Sequence, residues 1–593
     1  MKELFVLNKY FFQYKWHLLL GIVFVSLSNY FRVLQPQMIR EALDLVMENI
    51  ELYQQFNGFE SQAEFYQIIV RTLLLFGVLV LVLALIMGLF MFLMRQTLIV
   101  MSRLIEYDMR KELFAHYEEL DLAFYKKNNT GDLMSRITED VSKVRMYLGP
   151  ALLYGINLVS LFSMVIYAMF QVSVELSLYV LLPLPILSLS IYYVSSIINK
   201  RSTVIQEQLA TLNSTSQEVY SGIRVVKTYV QERPMLDFFS GQSEVYKHKS
   251  MDLVQVNALF HPLMMLLIGV STILTVYVGG LQVVKGNITP GNIAEFVIYV
   301  NMLTWPVTAI GWIASIIQQA AASQKRLNEF LKTPAGIQST ATEHFPLKGA
   351  IDFNQVNFVY PDTGIKALEN INLHLKPGAK LAIVGKTGSG KTTMADLLVR
   401  MYDVTDGTIL IDGKPIQELD VHNLRKQIGY VTQDIFLFSD TITNNISFGA
   451  KDASQKEVEQ FAKYAAVHDD IKGLTYGFET MVGERGVTLS GGQKQRVSIA
   501  RALIKKPNII ILDDCLSAVD TNTEAQILGY FNESLQDKTT IIITHRIYSR
   551  IQFDKIIVLE DGQIVEEGTH EELLKNKGFY YDLYEKQRVE ENV

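Results

Sequence analysis

Between Arg71 and Arg95 the chain reads TLLLFGVLVLVLALIMGLFMFLM without one charged residue. No other feature limits its fold as much. At about 1.5 Å of rise per residue, a helix of this length crosses a hydrocarbon core of about 30 Å. A buried helix in a soluble core is seldom this long without a charge, so the segment reads as a membrane span. Comparable uncharged runs lie between Arg145 and Glu175, Glu175 and Lys200, Asp252 and Lys285, and Glu295 and Lys325. With a segment that starts near Lys15 they make six.

The expected helices cover approximately 16–40, 68–95, 146–170, 174–199, 253–284 and 291–324, inside a transmembrane domain of residues 1–331. The N-terminal run is not followed by an A-x-A-like cleavage site, and apolar character resumes in later segments, so it reads as a retained first span. Residues 41–67 hold acids but no Lys or Arg, whereas 95–145 and 200–250 are rich in both. By the positive-inside rule the two basic segments are cytosolic, as is the N-terminus. Both are about 50 residues long with helical patterning, which predicts that the spans continue into the cytosol as two hairpins. Asn, Thr, Ser and Gly are expected to interrupt the helices at tips around 120–138 and 209–227. Arg32, near the outer part of the first span, is either a functional intramembrane charge or a side chain that snorkels to the headgroups.

More than one domain is expected, because 593 residues are too many for one ordinary domain, and 49% hydrophobic residues are high for a soluble protein while 19% charged residues are too many for a chain wholly in lipid. A net charge of -7, with no basic arm, argues against nucleic acid. The single cysteine, Cys515, allows no intrachain disulfide, and reads as a packed small residue rather than a redox sensor.

After Leu331 the composition turns to a Pro-, Gly-, Ser- and Thr-containing linker at 332–348, and a domain over 349–593 follows. There KLAIVGKTGSGKTTMADLL gives a strand, a glycine-rich turn and a helix, with Gly385, Gly390, Lys391 and Thr392 matching G-x-x-x-x-G-K-[ST]. Such a turn lets backbone N–H groups close on phosphate oxygens, while the Lys391 ammonium reaches the outer phosphates and Thr392 holds Mg2+. The run IIILDD places Asp513 at the end of an apolar strand, where a carboxylate can stand beside that ion. Between them, Leu489, Ser490, Gly491, Gly492 and Gln493 open an amphipathic helix, read either as a second anion-binding helix start or as an ordinary capped helix.

In combination and order these motifs resemble those of an ATP-binding cassette exporter that fuses six transmembrane helices to one nucleotide-binding domain. The resemblance implies a helical membrane domain joined to an α/β P-loop domain, with ATP and Mg2+ as ligands. It identifies Gly385, Lys386, Thr387, Gly388, Ser389, Gly390, Lys391, Thr392 and Thr393 as the phosphate loop and helix start, Tyr360 as the adenine-stacking aromatic, and Gln433 as a further Mg2+ residue with Thr392 and Asp513. It makes Leu489 to Gln493 the signature that faces the ATP of a partner, Asp520 the D-loop acid and His545 the switch histidine; GERG at 483–486 resembles the exporter segment before the signature. It also implies that two nucleotide-binding domains meet head to tail, so one chain is half a machine in the cytoplasmic membrane.

In one respect the chain departs from that pattern. The family places a glutamate on the attacking water immediately after the Walker B aspartate; here the residue is Asp514. One methylene shortens its reach by about 1.5 Å, and a displacement of about 1 Å can cost on the order of 100-fold in rate. The expectation is a slow site within a heterodimer, with a homodimer as the alternative. Met- and aromatic-rich helices suit varied apolar ligands or are packing filler. Lipophilic or multidrug export leads; lipid, lipid-linked or peptide export is the alternative, and a regulatory or channel-gating subunit is the reading from another class.

Overall fold

A computed structural model describes residues 2–55, 58, 61–339, 345–483, 489–517, 519–534, 537–548 and 551–591. They fall into two compact units, Met1–His116 with Gly131–Thr333, and Tyr117–Thr130 with Pro334–Val593.

In the first unit, helices Lys15–Gln55, Ser61–Glu119, Thr130–Val172, Glu232–Val284 and Pro290–Leu331 are each long and apolar enough to cross a membrane. Ser61–Glu119 has 59 residues, roughly 90 Å of helix, about three times the thickness of a hydrocarbon core. The expected fourth span, 174–199, is divided between helices Val174–Leu181 and Pro183–Ser221, and neither passes the same test among the described residues. The break falls at Leu182, just before Pro183, which has no N–H to give to the helical ladder, so the apolar stretch is shared between two helices.

The tips also differ in part from expectation. At the first, Asp121 accepts the Phe124 N–H at 2.9 Å and starts the short helix Leu122–Lys127. At the second, helix Pro183–Ser221 runs straight through Asn213, Ser214, Thr215 and Ser216. The Thr215 and Ser216 hydroxyls donate to carbonyls four residues back, both at 2.9 Å, which satisfies them inside the helix. The chain turns only at Gly222, before Ile223–Thr228.

The helices meet around Leu161, Val165, Met169, Phe296, Tyr299 and Leu303. Acids buried in this unit have partners, as burial of charge demands. Glu295 accepts from Tyr299 at 2.9 Å and from Arg40 at 3.3 Å, and Asp140 accepts from Ser323 at 2.8 Å and from Arg326. Arg32 is half-buried and has no ion pair among the described residues.

In the second unit, β1 (Ile351–Val359), β2 (Lys366–Leu375), β4 (Asp406–Ile411) and β5 (Lys414–Pro415) form an antiparallel sheet in the order β2, β1, β4, β5. A second sheet runs β10 (Gln563–Gly568), β9 (Lys555–Glu560), β3 (Lys380–Gly385), β8 (Thr539–Thr544), β7 (Ile509–Asp513), β6 (Ile428–Val431). All its neighbours are parallel except β9 and β10. Every residue of β7 and β8 is buried. Ile510, Leu512 and Ile542 enter one core, while Ile509, Ile511, Ile541 and Ile543 enter another. A strand covered on both faces favours apolar residues on both, hence the unbroken IIIL and III runs, with polar Asp513, Thr539, Thr540 and Thr544 confined to the strand ends. The approach to β1 is tied down early: the Lys348, Gly349 and Ala350 amides donate to the Asp412 carboxylate at 2.6, 3.0 and 2.8 Å.

Candidate nucleotide site

Parallel pairing brings distant segments to one sheet edge. Val384 pairs with Thr544, Asp513 with Ile543, and Val431 with Leu512. The phosphate loop after β3, Gln433 after β6, Asp514 after β7 and His545 after β8 therefore share the carboxyl edge, where ligands bind in open α/β sheets.

The loop needs its glycines. At Gly390, φ is +100° and a Cβ would lie 2.5 Å from the Ala367 carbonyl oxygen, while at Gly385 it would lie 2.2 Å from that of Leu559. Lys386, Thr387 and Gly388 are exposed and Ser389 is buried. Lys391, at the start of helix Lys391–Leu398, is buried, and its ammonium donates to the Gly385 and Lys386 carbonyls at 2.9 and 2.7 Å. Burial lowers its pKa, against the pull of Asp513 and Asp514. Thr393 and Tyr360 share a hydrogen bond of 2.8 Å.

Asp513 is almost wholly buried, and burial pushes its carboxyl up to about 6; a hydrogen bond from Thr392 and the charge of Lys391 act the other way. Its Oδ2 is buried without a hydrogen-bond partner among the described residues, as is Ser389 Oγ. An orphaned carboxylate oxygen beside a threonine hydroxyl is a hard oxygen donor set, and fits Mg2+. Gln433 is exposed in its loop.

Asp514 is half-buried, with φ +46°, and its amide donates to the Ile543 carbonyl at 2.9 Å. His545 is half-buried. Burial foremost, then Lys391, pushes its pKa down, while Asp514 and the Gly385 backbone act in the opposite sense. Lys391, Asp513, Asp514 and His545 thus form one electrostatic neighbourhood. Cys515 is buried in the core, its thiol pushed up by burial, which fits a packing role.

The signature starts a helix of the same unit. Ser490 Oγ accepts the Gln493 N–H at 3.3 Å and Gln493 Oε1 accepts the Ser490 N–H at 3.0 Å, a capping box for helix Gly491–Leu503. Leu489 is buried, Gly492 is half-buried, and both Ser490 and Gly491 are exposed. Among the described residues, a Cβ on Gly491 would meet nothing within 4 Å. Within GERG, Glu484, Arg485 and Gly486 lie outside the described residues. Asp520 accepts the Asn522 and Thr523 amides at 3.2 and 3.1 Å and caps helix Thr521–Ser534; the Thr523 side chain and these amides hold its carboxyl below the usual range.

Sequence reasoning missed what surrounds Tyr360. Its ring lies 4.9 Å from that of Phe358 and 5.5 Å from that of Tyr402, both edge-on, and the Lys126 ammonium lies 4.9 Å from its centroid. No local pattern marks Lys126 or Tyr402, because the cluster joins three separate stretches of chain.

A P-loop sheet with a buried acid at its carboxyl edge, fused to long apolar helices, defines a membrane protein that carries an ATP-binding domain. Residues 18–307 match the ABC transporter transmembrane region family and residues 368–517 the ABC transporter family. The chain is 39% identical over 492 residues, 82% of its length and 84% of the relative's, to the "Probable multidrug resistance ABC transporter ATP-binding/permease protein" of Bacillus subtilis (strain 168). It is 36% identical over 495 residues, 82% of its length and 81% of the relative's, to the "ATP-dependent lipid A-core flippase" of Syntrophus aciditrophicus (strain SB). The structure of a bacterial Atm1-family ABC exporter with ATP bound superposes with a TM-score of 0.77 at 25% identity, covering 96% of this chain and 99% of that one. The chain belongs to the ABC exporters, multi-pass membrane proteins in which a transmembrane domain is fused to an ABC ATPase domain.

Proposed function

We propose that the chain is one half of a heterodimeric exporter of lipophilic, multidrug-type compounds across the cytoplasmic membrane, and that the ATP site built on its own Walker residues turns over slowly. In this reading Tyr360 receives adenine, and Gly385 to Thr393 hold the phosphates. Leu489 to Gln493 complete the partner's site, with Asp520 between the two. Mg2+, held by Thr392, Gln433 and Asp513, would neutralise charge developing on the transferring phosphoryl group. Around it, Lys391 balances negative charge, and His545, whose pKa burial pushes down, is suited to hydrogen-bond the outer phosphate.

The observation that carries the reading is Asp514. Its backbone is anchored to β8 through Ile543, so the carboxylate cannot recover the missing methylene by a shift of the strand end without breaking that bond. Phosphoryl transfer depends on positioning, which makes such a shortfall costly. Lipid export is a second reading, supported by the similarity to lipid A-core flippases.

The test is ATP turnover by the purified chain alone and with a second exporter half that carries glutamate at the equivalent position. Alone, the chain is expected to be slower by about 10- to 100-fold. Equal rates would refute the slow-site heterodimer.

A further inference from the structure

Lys126 comes from the tip of the first cytosolic hairpin, yet its compact unit is the nucleotide-binding one. The short helix Leu122–Lys127 is fixed there by Leu122 and Ala123, which pack against the core that holds Phe358 and Tyr402. Its exposed last turn carries the Lys126 ammonium 4.9 Å from the Tyr360 ring centroid and 5.3 Å from that of Tyr402. Both distances lie within the range of a cation–π contact. Tyr360 has little freedom to turn away, since its hydroxyl is tied to Thr393 at 2.8 Å and its ring is braced by Phe358 and Tyr402.

A face of Tyr360 is therefore occupied by a cation delivered from a segment continuous with helix Ser61–Glu119. A purine on that face needs the same few ångströms above the ring. We infer that Lys126 is a positioning residue that competes with the nucleotide base for Tyr360, so that base binding releases the hairpin tip from the ring, and a tip held on the ring weakens base binding. The inference rests on the reading that Tyr360 carries adenine. It adds to that reading a specific route by which occupancy at the base end of the site is felt at the hairpin tip. The exchange takes place on the ring face, whereas Tyr360 meets the phosphate-binding segment through its hydroxyl, bonded to Thr393, so the effect is expected for the base and not for the phosphates.

The experiment uses the full-length chain in nanodiscs with EDTA to prevent hydrolysis, and measures the Kd of ATP and of inorganic tripolyphosphate. Lys126→Met keeps the length of the side chain and removes the charge. It is expected to tighten ATP about three-fold, from a contact worth about 0.5–1 kcal/mol, and to leave tripolyphosphate unchanged. Lys126→Arg keeps a cation and is expected to bind ATP as the unaltered chain does. In a Tyr360→Leu background, Lys126→Met is expected to have no effect. If Tyr360→Leu binds ATP as tightly as the unaltered chain, the adenine reading itself fails. If Tyr360→Leu weakens ATP, the competition is overturned by any of three results: Lys126→Met fails to tighten ATP, its effect persists without the tyrosine or extends to tripolyphosphate, or Lys126→Arg matches Lys126→Met.

Discussion

Asp514 occupies the left-handed region at φ +46°, which aspartate visits more readily than most residues with a longer side chain. Asp514→Glu therefore carries a small backbone cost and a gain of reach. With the partner present, it is expected to raise turnover at this chain's own site by about 10- to 100-fold, read as vanadate-trapped nucleotide per site; a fall would show that the aspartate already serves as the base. Its neighbour gives a pH prediction. The Asp513 carboxyl stands at about 6 against an ordinary 3.8, so the folded state holds a proton that the unfolded state gives up. That stabilising effect is full below the ordinary value and is lost as pH rises through the folded one. Asp513→Asn removes the cost of the buried charge, and is expected to stabilise the nucleotide-free protein by on the order of 1–3 kcal/mol at about pH 8, with little effect near pH 4. Calorimetric Tm measured against pH checks this. The same variant is expected to lose the added stabilisation that Mg2+ with ATP confers.

At the scale of elements, the carboxylate of Asp412 holds the entry to β1 by accepting three consecutive amides. Asp412→Ala leaves those donors without their acceptor, and is expected to cost about 1–3 kcal/mol. Asp412→Asn keeps one acceptor oxygen and a residue suited to φ +52°, and is expected to cost less. Denaturant unfolding of the nucleotide-bound protein ranks the two, and an equal loss would show that the amides are not the cause. The membrane span was legible in the sequence because an uncharged run marks its own extent, as between Arg71 and Arg95, whereas the full 59 residues of Ser61–Glu119 also depend on the helical pattern of the charged stretch beyond it. Helix breaks were less so. Asn213 to Ser216 carry loop-favouring side chains, but hydroxyls that bond back to the helix remove the reason to break it; at 174–199, Pro183 divides a run that hydropathy alone reads as one span.

For the whole molecule, the proposed asymmetry predicts an order between two lesions. Lys391→Ala falls on the slow site, and with the partner present is expected to weaken nucleotide retention but keep part of the transport. Gly491→Asp falls on the partner's site. Among the described residues a Cβ there meets nothing within 4 Å, and retained expression and nucleotide-bound Tm would separate an obstructed, acidic helix start from misfolding. It is expected to abolish ATPase and vesicle uptake alike. Equal, complete loss in both variants would contradict the asymmetry, and a harsher effect from Lys391→Ala would reverse the assignment of the two sites.

The sequence alone determined that the chain has membrane spans, that a phosphate loop sits between a strand and a helix, and that the residue after Asp513 is an aspartate. These are properties of neighbouring residues: the length of an apolar run, the spacing of glycines, the order of short motifs. Tertiary structure decided which of them meet. Parallel register set Gly385, Gln433, Asp514 and His545 on one edge, and burial left an Asp513 oxygen without a partner among the described residues. Packing of a hairpin tip put Lys126 over Tyr360. Each of these depends on hydrogen bonds and contacts between segments far apart in the chain, and no local period in the sequence encodes which distant segment will arrive.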